Sequence, residues 1–132
     1  MGDGRQEPRR HVFAVNSSDA ILAALRELLE DEGYAVATST YAADPFSRIA
    51  ALRPDAVVVD VAPGEDAGWA LLDRLRADPA TGAIPVLVVS TDPRLLDQVR
   101  VRSPTIAARR YLAKPFAIGD VVAALREMLG EG

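Results

Sequence analysis

Apolar residues fall along this chain in two alternating rhythms, regular enough to assign elements before anything else is weighed. Five short runs rich in β-branched residues, His11–Val15, Tyr34–Thr38, Ala56–Val59, Val86–Val89 and Tyr111–Ala113, read as strands. Between and after them the spacing becomes helical. Ile21, Leu25, Leu28 and Leu29 recur at i, i+4, i+7 and i+8 and stop before Gly33, where a left-handed cap is expected. Asp44-Pro45, an N-cap followed by proline in the first helical turn, announces a second helix with Phe46 and Ile49 on one face. Leu71, Leu72 and Leu75 mark a third. A fourth opens at Asp92-Pro93, runs through Leu95, Leu96 and Val99, and is broken by Ser103-Pro104; a fifth carries Val121, Leu125, Met128 and Leu129 and ends at Gly130.

Strands that alternate with helices five times argue for a parallel sheet, because each parallel connection needs a crossover and the crossover is usually a helix. The runs VVV at 57–59 and VLVV at 86–89 are apolar at every position, as befits strands covered on both faces. The expected fold class is therefore α/β, a doubly wound five-stranded parallel sheet with five helices. In such sheets ligands bind beyond the carboxyl ends of the strands.

Composition narrows the chemistry. The 132 residues suit one domain, and no apolar run approaches the length of a membrane-spanning helix. With no cysteine, disulfides, thiolate metal sites and thiol nucleophiles are excluded; the single histidine, His11, makes neither a histidine-rich metal site nor a triad. A formal charge of −4 gives no basic footprint for nucleic acid. Residues 1–10, MGDGRQEPRR, lack both apolar periodicity and a signal-peptide core and read as a flexible arm before a domain over 11–130. The expectation is a cytoplasmic protein without direct contact to nucleic acid or membrane.

The residues after each strand carry the polar chemistry. They are Asn16-Ser17-Ser18-Asp19 after the first, Asp60 after the third, Ser90-Thr91 after the fourth and Lys114-Pro115 after the fifth. Lys114 is singular: the chain has fourteen arginines and this one lysine. A lysine is a compact charge on a slim stem, able to enter a pocket too tight for the planar guanidinium fork. Ser17 or Ser18 is expected to cap the first helix.

In this order and spacing the residues resemble the receiver domain of two-component response regulators, over essentially all of residues 11–130. PDAVVVD with Gly68 beyond it is similar to the phosphoacceptor strand and loop, IPVLVVST to the fourth strand, and YLAKPF to the fifth. The resemblance implies the flavodoxin-like receiver fold with strand order 2-1-3-4-5. It implies Asp60 as phosphoacceptor, Lys114 as the cation facing the phosphoryl charge, and Ser90 and Tyr111 as the switch pair. It implies a sensor histidine kinase or phosphotransfer protein as donor, and a regulatory module rather than an enzyme. A downstream protein would dock on the face made by the fourth helix, fifth strand and fifth helix, which would carry Arg100, Arg102, Arg109 and Arg110; a homodimer is a further option. With no DNA-binding segment after Gly132, the expectation is either output through a partner protein or a chain that is a fragment of a larger regulator.

The chain departs from the family where Mg²⁺ is usually held. Two adjacent acids are replaced by Asn16 and Ser17, leaving Asp60 and the Ala62 backbone as ligands and Asp19, Glu65 and Asp66 as distant substitutes. Mg²⁺ prefers carboxylate and other hard oxygen ligands, so its binding is expected to be weak. The expectation is thus a receiver-like signalling module that is weakly phosphorylated or acts by phosphorylation-independent protein contact. The alternative is a small-anion or nucleotide-binding flavodoxin-like domain, with Ser17 and Ser18 at a helix N-terminus as the cradle; the loop lacks the glycines of a pyrophosphate site. A haloacid-dehalogenase-type phosphotransferase would need a second acid where this chain has Ala62.

Overall fold

A computed structural model describes residues 9–61, 66–90, 94, 110–113 and 118–130, with only the backbone at 110–113 and 118. Along the chain run β1 (His11–Val15), α1 (Asp19–Asp31), β2 (Ala35–Ser39), a 3-10 turn (Tyr41–Ala43), α2 (Pro45–Leu52), β3 (Ala56–Asp60), α3 (Ala67–Ala77), β4 (Val86–Ser90), β5 (Arg110–Ala113) and α4 (Ile118–Met128). All strand pairs are parallel, in the order β2-β1-β3-β4-β5. The helix expected from Pro93 lies outside the described residues except for Arg94, which is helical.

Period-two alternation sorts the strand residues into two core layers. Val12 and Ala14 of β1, Ala56 and Val58 of β3, and Leu87 and Val89 of β4 pack with Leu22 and Leu29 of α1 and with Val121, Val122 and Leu125 of α4. Their neighbours Phe13, Val15, Val57, Val59, Val86 and Val88 face the other way, onto Ile49 of α2 and Leu71, Leu72 and Leu75 of α3. The doubly wound arrangement thus follows from strands apolar on both sides, each burying its side chains for about 1.5–3 kcal/mol apiece.

The helix signals hold at their ends and slip once in the middle. Ser18 caps α1, its Oγ accepting from the backbone N–H of Ile21 at 3.3 Å. Gly33 adopts φ +97° just past the helix, a conformation costly for any residue with a Cβ. Asp44 caps α2 with Pro45 in its first turn, its carboxylate accepting from the Ser47 N–H at 3.3 Å. The buried stripe of α1, however, runs through Leu22, Leu25 and Leu29, while Ile21 and Leu28 are 45% and 40% exposed. The apolar band on this helix is wider than the arc the sheet covers, so one sequence fits two offset stripes. Only contact with β1 and β2 decides between them.

Strands β3 and β4 each run one residue further than their apolar runs. The ladder is a backbone property and continues past the last valine: the Val61 N–H still donates to the Val89 carbonyl at 2.9 Å. Asp60 and Ser90 are therefore the final residues of strands, held by the sheet itself. Arg53 ends α2 at φ 51°, its N–H bonded to the Ile49 carbonyl, and Pro54 then redirects the chain into β3.

Candidate functional site

Register brings Asn16, Asp60 and Ser90 to one rim. Val15 pairs with Val59, so Asn16 follows immediately beside Asp60 on the neighbouring strand. Asp60 pairs with Val89, which puts Ser90 one step further along β4, and Ser90 in turn pairs with Ala113 of β5. These positions cluster at the carboxyl ends of the central strands, the edge where an open parallel sheet forms its crevice. Ala14 and Val58 belong to the same core layer, so alternation places Asn16 and Asp60 on one face.

The environment of each differs. Asp60 is half-buried, and its backbone carbonyl accepts a hydrogen bond from the Tyr41 hydroxyl at 2.5 Å. Ser90 is fully buried. Asn16 is only 4% exposed: its N–H donates to the Ser39 carbonyl, extending β1 alongside β2, and its side-chain Oδ1 accepts from the Ser18 N–H at 2.9 Å. Ser17 is exposed, as are Asp19 in the first turn of α1 and Asp66 before α3. Lys114, Ala62, Glu65, Arg100, Arg102 and Arg109 lie outside the described residues; Tyr111 and Arg110 are seen only as backbone within β5. Among the described residues, no three histidines, cysteines or acids gather as a metal-ligating group.

Sequence reasoning missed Tyr41. It stands in the 3-10 turn after β2, half-buried, and reaches across to the end of β3. Gly68 is what makes room: a Cβ there would come within 3.2 Å of the Asp60 carbonyl oxygen, 3.2 Å of the Tyr41 hydroxyl and 3.3 Å of a Val61 methyl. The signal available beforehand was weak, an aromatic residue with a polar tip ahead of a helix cap. Nearby, Asp44 carries a carboxyl held below the usual carboxylate range by hydrogen bonds from the Ser47 hydroxyl and N–H, with Arg74 adding to the effect and slight burial opposing it. The Arg74 guanidinium lies 4.0 Å from the centroid of the Phe46 ring and so ties α3 to α2.

A parallel sheet in the order 2-1-3-4-5, with an acid ending β3 and a buried serine ending β4, is the arrangement that the resemblance to receiver domains implies. The response regulator receiver domain family matches residues 12–126, and the chain belongs to that family. It is 32% identical over 129 residues to the transcriptional regulatory protein PrrA of Mycobacterium tuberculosis, covering 98% of this chain and 53% of that protein. To the response regulator MprA of Mycobacterium leprae it is 31% identical over 119 residues, covering 89% of this chain and 50% of the relative. The chain thus spans about half the length of these curated relatives. Among solved structures, a putative response regulator from Chloroflexus aurantiacus superposes with a TM-score of 0.77 at 27% identity, covering 93% of this chain and 99% of that one. The chemotaxis response regulator CheY4 of Vibrio cholerae shares the fold with a TM-score of 0.78 at 23% identity, covering 92% of this chain and all of its own. The chain is a receiver domain of the two-component type, a regulatory module. Among the described residues, no helix is long and apolar enough to cross a membrane.

Proposed function

We propose that this domain receives a phosphoryl group on Asp60 and passes the signal on through protein contact. The observation that carries the reading is Asp60 itself, the half-buried last residue of β3, beside Asn16 and next to the strand that ends in Ser90. A hydrophobic strand that ends in an acid at the crevice edge gains nothing for packing from that acid, whereas a carboxylate there is accessible to a donor. Transfer of a phosphoryl group calls for alignment and charge stabilisation more than for covalent help. Lys114 supplies the cation in this reading, and Ser90 supplies a hydroxyl that turns toward the phosphoryl oxygen while Tyr111 changes its packing. The donor is the phosphohistidine of a sensor kinase or phosphotransfer protein in the cytoplasm. The domain proper spans 11–130. Output goes to a protein partner over the face built from β5, α4 and the segment around Arg94.

The direct test is incubation with acetyl phosphate followed by intact mass. An adduct of one phosphoryl group that Asp60→Asn abolishes is the expected result, with Trp69 fluorescence as a second readout on α3. If no adduct forms on the wild-type protein under any donor, or if Asp60→Asn keeps it, Asp60 is not the acceptor and the domain signals through its surface alone.

A further inference from the structure

Receiver domains generally bind Mg²⁺ at the phosphorylation site, and the donor set here does not suit it. We infer that the rim beside Asp60 is an anion seat that admits no divalent cation, and that the Asn16 carboxamide N–H₂ donates to the phosphoryl group on Asp60. This deepens the assignment of Asp60 as phosphoacceptor and rests on it.

The argument turns on which end of the Asn16 amide is already used. Its Oδ1 accepts from the Ser18 N–H at 2.9 Å, an arrangement only the oxygen can make, since Ser18 offers a donor. The carboxamide is planar, so pinning the oxygen toward the start of α1 fixes the nitrogen on the opposite side. That nitrogen is buried with the rest of the side chain, 4% exposed, and no described residue accepts from it. Buried polar groups are nearly always hydrogen-bonded, and one that is not marks a place where something else completes it. Asn16 stands beside Asp60 in register and on the same face, so what arrives on Asp60 arrives next to this donor.

The sign of the charge follows. Mg²⁺ takes oxygen ligands in a near-ideal octahedron and relies on carboxylates to displace its water. Asn16 would present it with two N–H dipoles, positive end first, while its oxygen is occupied. Ser17 is exposed, and Asp19 and Asp66 are exposed on their own elements. A phosphoryl group has the opposite need: it brings about −1.5 to −2 charges and three acceptor oxygens. In the transfer itself an Asp60 carboxylate oxygen forms the new bond to phosphorus as the bond to the donor breaks. The leaving group, acetate in the case of acetyl phosphate, departs with that electron pair. Charge builds on the phosphoryl oxygens, where a fixed N–H is useful.

The test uses the intact chain and one isosteric variant, Asn16→Asp, which keeps an oxygen for the Ser18 N–H. Mg²⁺ is titrated into ¹⁵N-labelled wild type and variant, and adduct formation from acetyl phosphate is timed with Mg²⁺ or with EDTA. Wild type is expected to show no Mg²⁺-dependent shift at Asn16 or Asp60 up to about 10 mM, a generous concentration for a carboxylate site. Its adduct rate should be unchanged within about twofold by EDTA. Asn16→Asp should bind Mg²⁺ and, in EDTA, form adduct about tenfold more slowly, as losing a charged hydrogen bond predicts; Mg²⁺ should restore it. Wild-type shifts confined to Asn16 and Asp60 on adding Mg²⁺, or an adduct that vanishes in EDTA, would overturn the proposal. No adduct under either condition removes Asp60 as acceptor and the donor role with it, while the Mg²⁺ titration still decides cation exclusion by itself.

Discussion

Replacing Gly68 with alanine should destabilise the domain by about 1.5 kcal/mol, a balance of helix propensity against crowding. The added Cβ would sit 3.2 Å from the Asp60 carbonyl oxygen, 3.2 Å from the Tyr41 hydroxyl and 3.3 Å from a Val61 methyl. None of the three yields easily. The carbonyl belongs to β3, the hydroxyl is held by its bond to that carbonyl, and Val61 is completely buried. Alanine brings at most about 1 kcal/mol of helix propensity, less in a first turn. Overpacking costs about 1–3 kcal/mol, and straining the Tyr41 hydrogen bond about 1 kcal/mol more, so crowding wins. For a chain of 132 residues that is a fall of about 5 °C in Tm. The assay is urea unfolding of wild type, Gly68→Ala, Tyr41→Phe and the double variant, followed by far-UV circular dichroism and Trp69 fluorescence. Tyr41→Phe alone should cost about 1 kcal/mol, yet it clears the space a Cβ needs. The double variant should therefore be about 1 kcal/mol more stable than additivity gives. A Gly68→Ala protein as stable as wild type, or strictly additive effects, would refute the close packing of α3 against the end of β3.

Other expectations are simpler to check. Leu22→Ala should cost about 2–5 kcal/mol, whereas Ile21→Ser, one position away on the exposed side of α1, should change stability by under about 0.5 kcal/mol in denaturant unfolding; equal losses would mean the stripe has been misplaced. Ser18→Ala should cost about 1 kcal/mol, because the Ile21 N–H loses its acceptor, and Ser17→Ala at the exposed neighbour should cost little. Asp44 has a lowered carboxyl pKa when folded, so its contribution is present above the unfolded carboxylate pKa and is lost as pH falls through the folded value. Stability measured from neutral pH down to strongly acidic pH should therefore decline less steeply in Asp44→Asn, and an unchanged slope would discount the Ser47 and Arg74 contacts. Arg126→Ala removes an exposed 2.8 Å ion pair with Glu32 that links α4 to the end of α1. The loss should be under about 1 kcal/mol and shrink further in high salt.

Local chemistry determined much of this protein. The unbroken apolar runs VVV and VLVV demanded strands buried on both sides, Asp44-Pro45 and Gly33 set helix ends, and the order of Asp60, Ser90 and Lys114 carried the family resemblance. Those signals are legible because each depends on residues near one another in the chain or on a fixed spacing. Tertiary structure alone decided the rest. The spacing of seven residues from Leu22 to Leu29 is repeated from Ile21 to Leu28, so only the sheet beneath could choose between the two stripes of α1. Tyr41 meets Asp60 across nineteen positions, and that contact exists because β2 and β3 flank β1 in the sheet and Gly68 leaves a gap. Asn16 shows the limit most clearly. Its identity announced a lost acid, but the direction of its amide, oxygen to Ser18 and nitrogen left over, is fixed by a turn and by burial rather than by sequence.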